Sequence, residues 1–394
     1  MIKFLLILFL LSFPTQIAKH FWPASSIFWG LKIDYLSIVI YLSEVIFIFL
    51  LASELLFGDL ISYLKKAFTG KIFIFAFFGL LLIISILSFS PVSALFAYLK
   101  AIEFLLVFLV LKKEKELVKR HLGVIIMFWI GFELVLAVAQ FISQSSLQGI
   151  FWYFGERNFS ISTPGIAKTS IMGRLFLRPY GTFSHPNSLA GFTLASMAVN
   201  FVFVKDKMLK RLIYFFGFIL LCLTFSRSSW LALLIIAFLG LFMNLKRKIF
   251  KILIFVLGVV ISAFIYSQTD FNQMSILLRK WLNLSAIEMI KDNLLFGVGM
   301  KNFIPQLPTY WPRDKINYLF FQPVHNIFLL LVSEIGLVGL FLLAFSFKEF
   351  FSKQKWKLVK LIPLLVVIIT GFFDHYWLTL QQNNLMVVLV LALI

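Results

Sequence analysis

A histidine at the start of a long apolar run is the residue of this sequence best suited to move a proton. His325 stands two residues after Pro323 and opens the run His-Asn-Ile-Phe-Leu-Leu-Leu. A neutral imidazole can accept a proton from a hydroxyl group near neutral pH, as a general base must. The plainer interpretation is a histidine that only satisfies the hydrogen bonds of a helix end.

An aspartate near the end of the chain is the acid that could accompany this histidine. Asp374 lies in the stretch Phe-Asp-His-Tyr-Trp, at about the same predicted depth as His325. A carboxylate at a membrane face pairs with an arginine or orients a histidine. A hydrated helix end within a belt of Tyr and Trp explains the same residues equally well.

Arginines occur in three other polar stretches, and a guanidinium is a permanent, forked partner for phosphate. Arg178 opens the stretch Arg-Pro-Tyr-Gly-Thr-Phe-Ser-His-Pro-Asn, which contains His185 and leads into a helix whose N-terminus favours anions. Arg227 lies in a very short turn, and Arg279 lies in the window 275–292, which predicts an amphipathic helix. Each arginine also fits an ordinary role as an interfacial anchor.

The apolar runs between these stretches predict a single all-α membrane domain over residues 1–394. The sequence is 61% hydrophobic and 13% charged, whereas a soluble domain is about half apolar and about a quarter charged. Runs of about 17–25 apolar residues recur, and each is long enough to cross the hydrocarbon core. We predict about twelve transmembrane helices on this basis. They lie near residues 3–18, 35–57, 72–89, 91–111, 122–142, 188–204, 212–225, 229–245, 249–267, 326–347, 358–378 and 380–394.

Basic residues alternate along the short loops and predict the orientation. Every second short loop is rich in Lys and Arg: 58–71, 112–121, 205–211, 246–251 and 348–360 hold 21 in all, and the alternate loops 19–34, 89–91, 226–228 and 376–381 hold 3. Positively charged loops stay in the cytoplasm. Both termini are therefore predicted to be cytoplasmic, and the long connections 143–187 and 268–325 to be external and to carry short helices.

Several classes of protein are excluded or disfavoured. The net charge of +19 is distributed as a topology signal, so we predict no nucleic-acid partner. The single Cys222 allows no intrachain disulfide and no multi-Cys metal site. No Asp-x-Asp pair, P-loop, Gly-x-Ser-x-Gly or His-Glu-x-x-His is present. A synthetic reaction outside the cytoplasm would therefore use a donor already activated on a lipid carrier.

The order of these stretches resembles that of the O-antigen ligase and O-antigen polymerase family of bacterial envelopes. The resemblance covers residues 170–380, just over half of the chain. It lies in Arg178…Gly181…Phe183…His185-Pro-Asn187, then Ser226-Arg227, then Arg279…Trp281…Gly297…Gly299, then His325-Asn326…Glu334…Gly336.

This resemblance implies a GT-C-type glycosyltransferase of the bacterial inner membrane whose active site faces the periplasm. It would be inverting, free of metal and other cofactors, and supplied with an undecaprenyl-pyrophosphate-linked glycan as donor. The acceptor would be a lipid-anchored core for a ligase or another lipid-linked glycan for a polymerase. His325 would be the general base on the acceptor hydroxyl, and Arg178 and Arg279 would hold the pyrophosphate. Further residues of the substrate site would be Arg227, His185 and Asp374.

Charges inside predicted helices support a rival function, a membrane transporter or flippase for lipid-linked oligosaccharide. Glu44, Lys100, Glu103 and Glu133 lie within apolar runs, where a charge is costly and often marks an ion or proton path. Two of them, Lys100 and Glu103, are three residues apart and could simply neutralise each other. The sequence shows neither the repeated halves nor the broken helices that transporters tend to have.

Overall fold

The computed structural model describes residues 1–244, 273–351 and 357–394, and these are mostly helical. The helices are α1 (Ile2–Leu11), α2 (Leu42–Phe57), α3 (Leu60–Phe68), α4 (Ile72–Leu87), α5 (Pro91–Lys113), α6 (Lys115–Ser143), α7 (Pro186–Phe203), α8 (Lys207–Thr224), α9 (Arg227–Asn244), α10 (Gln273–Asp292), α11 (Phe303–Tyr310), α12 (Ile327–Phe351), α13 (Ile362–Gly371), α14 (Tyr376–Thr379) and α15 (Gln381–Leu393). The predicted helix 249–267 lies outside the described residues.

Three antiparallel strand pairs join the helices in the described part of the chain. Strand β1 (Ala18–Phe21) pairs with β4 (Ile38–Tyr41), and β2 (Ile27–Phe28) pairs with β3 (Leu31–Lys32) between them. Strand β5 (Lys168–Ile171) pairs with β6 (Arg174–Leu177) in the connection from α6 to α7. The long connection 143–187 therefore carries a hairpin besides a short 3-10 helix at Gly149–Phe154.

The prediction of an integral membrane protein is confirmed in its general form. Helices α5, α6 and α12 are each long and apolar enough to cross a membrane, and α2 with α3 would form a further span bent by 96°. Other described helices, such as α1, α4, α13 and α15, are apolar but shorter. The total of about twelve spans stays a prediction.

Several predicted boundaries are wrong. The first helix was expected over 3–18, but α1 ends at Leu11 and the chain continues into β1; the second was expected from residue 35, but residues 38–41 form β4. Short apolar runs suit a strand as well as a helix, so hydropathy could not separate them. The predicted loop 112–121 is helical except for the one residue that separates α5 from α6. The predicted helix 358–378 is broken into α13 and α14.

The main hydrophobic core supports the segments that carry the candidate site residues. Apolar side chains of α1, α2, α5, α6, α7, α8, α13 and α15 form its largest cluster. Trp129 of α6 is fully buried there, stacks on Phe13 at 5.5 Å and donates its indole N–H to the Leu10 carbonyl at 3.0 Å.

A second core joins the segment between α1 and α2 to the helices within the second long connection, 268–325. Ile33 and Leu36 of that segment pack with Trp281, Leu282 and Met289 of α10. The predicted amphipathic helix over 275–292 is thus confirmed as α10. The face of α10 that carries Ile276, Leu277, Lys280, Leu284, Ile287 and Lys291 is exposed.

Helix α12 is broken at Gly336, contrary to the absence of broken helices expected from the sequence. Gly336 has φ +62° and ψ −178°, and the segment after α10 runs along the break. Val298 donates its N–H to the Ser333 carbonyl at 2.8 Å, and Leu337 donates its N–H to the Leu294 carbonyl at 2.9 Å. These bonds satisfy backbone groups that the break would leave unpaired.

We expect Gly336→Ala to destabilise the protein by about 1–3 kcal/mol, because its backbone conformation is one that essentially only glycine adopts. A Cβ there would also overlap the Leu295 carbonyl. The measurement is the apparent Tm of purified protein in detergent. Gly79→Ala in α4 is the control, since open space surrounds that position and alanine favours a helix. Equal Tm values for the two variants would contradict the role of the break.

Candidate active site

Five segments of the described chain converge on one cluster of polar side chains. They are the connection leading into α7, the turn between α8 and α9, α10, the start of α12 and the link between α13 and α14. All six residues predicted from the sequence lie here or act on this cluster electrostatically: Arg178, His185, Arg227, Arg279, His325 and Asp374.

The carboxylate of Asp374 is the centre of the cluster. Its Oδ1 contacts His325 Nδ1 at 3.2 Å and accepts the His375 backbone N–H at 2.9 Å. Its Oδ2 accepts a hydrogen bond from Asn187 Nδ2 at 3.0 Å. Burial opposes ionisation, but the hydrogen bond and charge interaction with His325 outweigh it and hold the Asp374 pKa well below its usual range.

The ionised carboxylate determines which nitrogen of His325 is free. A carboxylate only accepts hydrogen bonds, so the Nδ1 that contacts it carries the proton and Nε2 keeps its lone pair. The imidazole side chain is 17% exposed, while the side chain of Asp374 is 7% exposed. The buried carboxylate of Asp374 therefore orients the imidazole of His325, whose basic Nε2 remains available.

Arg178 is held by two acceptors on different helices. Its Nε donates to the Thr224 carbonyl at the end of α8 at 2.8 Å, and its Nη2 donates to Asn187 Oδ1 at 2.7 Å. Burial, followed by the charges of Arg227 and Arg279, lowers the pKa of Arg178 to about 10. The guanidinium remains a cation at neutral pH, and its other N–H groups can grip an anion.

The other two arginines flank this position. Arg279 of α10 is half-buried, and its Nη1 donates to the Phe373 carbonyl at 2.7 Å, directly before Asp374. Arg227 is the exposed first residue of α9. Three cations from three separate segments thus share one end of the molecule, which suits a ligand with several negative charges.

His185 has a different role from His325. It is the N-cap of α7, and its Nδ1 accepts the Asn187 backbone N–H at 3.1 Å. Burial and the charge of Arg178 lower the pKa of His185 to about 3. Because Nδ1 accepts, Nε2 carries the proton, so this imidazole offers a donor and not a base.

His375 was recognised in the sequence only as a neighbour of Asp374. Its ring centroid lies 5.0 Å from that of His325, and its Nδ1 contacts Thr379 Oγ1 at 2.8 Å. Burial lowers its pKa to about 3. Tyr35, from the segment between α1 and α2, packs edge-on against this ring at 5.4 Å. No sequence signal indicated that the first connection reaches the site.

The loop that carries Arg178 is fixed by buried acceptors on α6. Gln140 Oε1 accepts the backbone N–H groups of Tyr180 and Gly181 at 3.0 and 2.8 Å. Glu133 accepts the N–H of Thr182 at 3.0 Å and its hydroxyl at 2.6 Å. The carboxyl group of Glu133, a candidate relay in the sequence, therefore positions the loop through hydrogen bonds.

By spacing alone, His325, Asp374 and His375 could hold a metal ion. One ligand atom of each lies within 4.8 Å of the others. The contacts fit this poorly, because both oxygens of Asp374 are already hydrogen-bonded, Oδ1 to His325 and to the His375 backbone and Oδ2 to Asn187. The three neighbouring arginines also repel a dication. The donor set therefore fits hydrogen bonding better than metal coordination.

Comparison with known proteins supplies an independent finding. The family model described as O-antigen ligase matches residues 212–344, about a third of the chain. The match includes Arg227, Arg279 and His325, and Arg178 and Asp374 lie outside it. No curated protein matches the chain. The resemblance seen in the sequence is confirmed.

Proposed function

We propose that this protein transfers a glycan from an undecaprenyl-pyrophosphate-linked donor to an acceptor hydroxyl, because residues 212–344 match the family model described as O-antigen ligase. The acceptor is a lipid-anchored core or a second lipid-linked glycan. The observation that carries the proposal is the cluster itself, in which an oriented base and three arginines meet from distant segments. These are the two groups that glycosyl transfer from a pyrophosphate needs.

The chemistry is a single displacement. His325 Nε2 takes the proton of the acceptor hydroxyl while the hydroxyl oxygen forms a bond to the anomeric carbon. The bond from that carbon to the pyrophosphate oxygen breaks, and the electron pair leaves with the lipid pyrophosphate. Attack opposite to the leaving group inverts the configuration of the anomeric carbon.

Each supporting residue acts on one end of this reaction. Asp374 fixes the tautomer of His325 and stabilises the imidazolium that forms when Nε2 gains the proton. Arg178 and Arg279 face the negative charge that develops on the departing pyrophosphate. Arg227 extends the same cationic surface, and His185 adds a hydrogen-bond donor.

A transporter is less well supported by the contacts. The charges that favoured it have structural partners: Lys100 pairs with Glu44 and, at 3.2 Å, with Glu103, and Glu133 holds the loop of Thr182. The backbone at the break in α12 is hydrogen-bonded to the segment after α10 and is not left to coordinate ions.

The first test is removal of the base. His325→Ala should lower the rate of single-turnover transfer by about 10²–10⁴-fold, the usual contribution of a general base, while binding of the lipid-linked donor persists. The measurement uses purified protein in nanodiscs with a lipid-pyrophosphate glycan.

His121→Ala is the matched control for that test. His121 lies near the start of α6, at the opposite end from Gln140, which contacts the site loop. The control should transfer at the wild-type rate. A wild-type rate for His325→Ala would show that another group takes the proton.

The second test is removal of metal. Transfer should keep its rate in excess EDTA, because permanent guanidinium charges can stabilise the leaving pyrophosphate without a cation. The control is the same reaction with added magnesium. Loss of transfer in EDTA that returns with magnesium or manganese would reject this part of the proposal.

The third test concerns orientation, since the proposal places the site outside the cytoplasm with both termini inside. Cys222 is first replaced, and single cysteines are introduced at Ser160, Asp206 and Gln306. An impermeant thiol reagent on whole cells should label the variants at 160 and 306 and leave the variant at 206 unlabelled, as the alternation of basic loops predicts. The reverse pattern would place the site in the cytoplasm.

A further inference from the structure

One side chain joins the arginine of the site to its acid–base pair. Asn187 Oδ1 accepts from Arg178 Nη2 at 2.7 Å, and Asn187 Nδ2 donates to Asp374 Oδ2 at 3.0 Å. The orientation of the amide is determined by its partners, since a guanidinium only donates and an ionised carboxylate only accepts. In the sequence this residue stands in the His185-Pro-Asn187 part of the family resemblance, with no role assigned to it.

The side chain of Asn187 is not needed for the cap. The cap of α7 is made by His185 Nδ1, which accepts the backbone N–H of Asn187 at 3.1 Å. Any residue other than proline supplies that N–H. The side-chain amide of Asn187 is therefore available to the site, where its oxygen contacts Arg178 and its nitrogen contacts Asp374.

The amide also keeps two opposite charges apart. Without it, the guanidinium of Arg178 and the carboxylate of Asp374 could approach each other and form a direct ion pair. In a partly buried site such a pair is strongly attractive. It would draw Arg178 away from an incoming pyrophosphate and draw Asp374 away from His325.

We propose that Asn187 is a positioning residue for glycosyl transfer, a neutral spacer that holds Arg178 on the pyrophosphate side and Asp374 on the base side. This inference rests on the proposed function. It makes a single residue affect both donor binding, through Arg178, and the rate of the chemical step, through Asp374 and His325.

Two variants separate this role from a merely structural one. Asn187→Ala removes both hydrogen bonds to charged partners, and donor binding and single-turnover transfer should each fall by about 10–100-fold, the usual range for such bonds. Asn187→Asp keeps the shape but places a second carboxylate beside Asp374, where like charges repel. It should transfer more slowly than Asn187→Ala.

The apparent Tm values of the two variants should rank in the opposite order to their transfer rates. An aspartate in the first turn of a helix is favourable, so Asn187→Asp should have an apparent Tm at or above that of Asn187→Ala, because the new carboxylate also pairs with the Arg178 guanidinium that donates to this position and this pairing offsets the repulsion by Asp374. If Asn187 were only structural, Asn187→Asp would retain more stability and more activity than Asn187→Ala. The proposal predicts instead that Asn187→Asp is at least as stable as Asn187→Ala but transfers more slowly.

The experiment measures the apparent Tm, the Kd for undecaprenyl pyrophosphate and the single-turnover transfer rate in nanodiscs. The variants are wild type, Asn187→Ala, Asn187→Asp and Asn200→Ala. Asn200 is a matched control because it lies on the same helix and donates to the Lys210 carbonyl at 3.2 Å, away from the site. This variant should lose stability without weakening donor binding.

The outcomes are separable. The expected result is weaker binding and slower transfer for Asn187→Ala, with Asn187→Asp the slowest. If wild type transfers and Asn187→Asp is as fast as Asn187→Ala or faster, or if Asn187→Ala changes neither Kd nor rate by more than about twofold, the positioning role is overturned and the proposed function stands. If wild type transfers no glycan, both proposals fail together.

Discussion

The ionised carboxylate of Asp374 is the interaction on which the rest of the site depends. A buried carboxylate is costly unless hydrogen bonds and opposite charges surround it. Here one carboxylate has partners from three segments: His325 before α12, Asn187 in α7 and the backbone of His375. Each partner is oriented because it must satisfy that charge. The geometry of the cluster is thus a consequence of stabilising one acid.

The helical core makes this arrangement possible because it brings distant parts of the chain together at the site. Helix α6 supplies Gln140 and Glu133, whose side chains hold the loop between Arg178 and α7. The end of α8 supplies the Thr224 carbonyl to the same arginine. Polar side chains buried in an apolar bundle are high in energy unless satisfied, so each is matched to a backbone group. The loop is consequently rigid where it meets the site.

The residue types of the site could be predicted from the sequence, but their partners could not. His325, Arg178 and Arg279 were recognisable because they lie in polar stretches of the predicted external face, in the order that the family resemblance gives. The hydrogen bond from Asn187 to Asp374 joins residues separated by 187 positions in the chain, and no local pattern encodes such a contact. Tyr35 was missed for a related reason: its segment was taken as a short loop and partly as a helix, because short apolar runs do not distinguish strands from helices.

The proximity of three arginines has a physical consequence for the ligand. Burial, followed by the charges of Arg227 and Arg279, lowers the pKa of Arg178 to about 10, so part of the shift reflects repulsion among the three cations. An anion with several charges relieves that repulsion when it binds, and a neutral glycan does not. Attraction at 4 Å is worth about 4 kcal/mol per pair of unit charges near a protein surface. In the proposed reaction, this preference for a multiply charged anion would distinguish the pyrophosphate end of the donor from its sugar end and would orient the anomeric carbon toward His325.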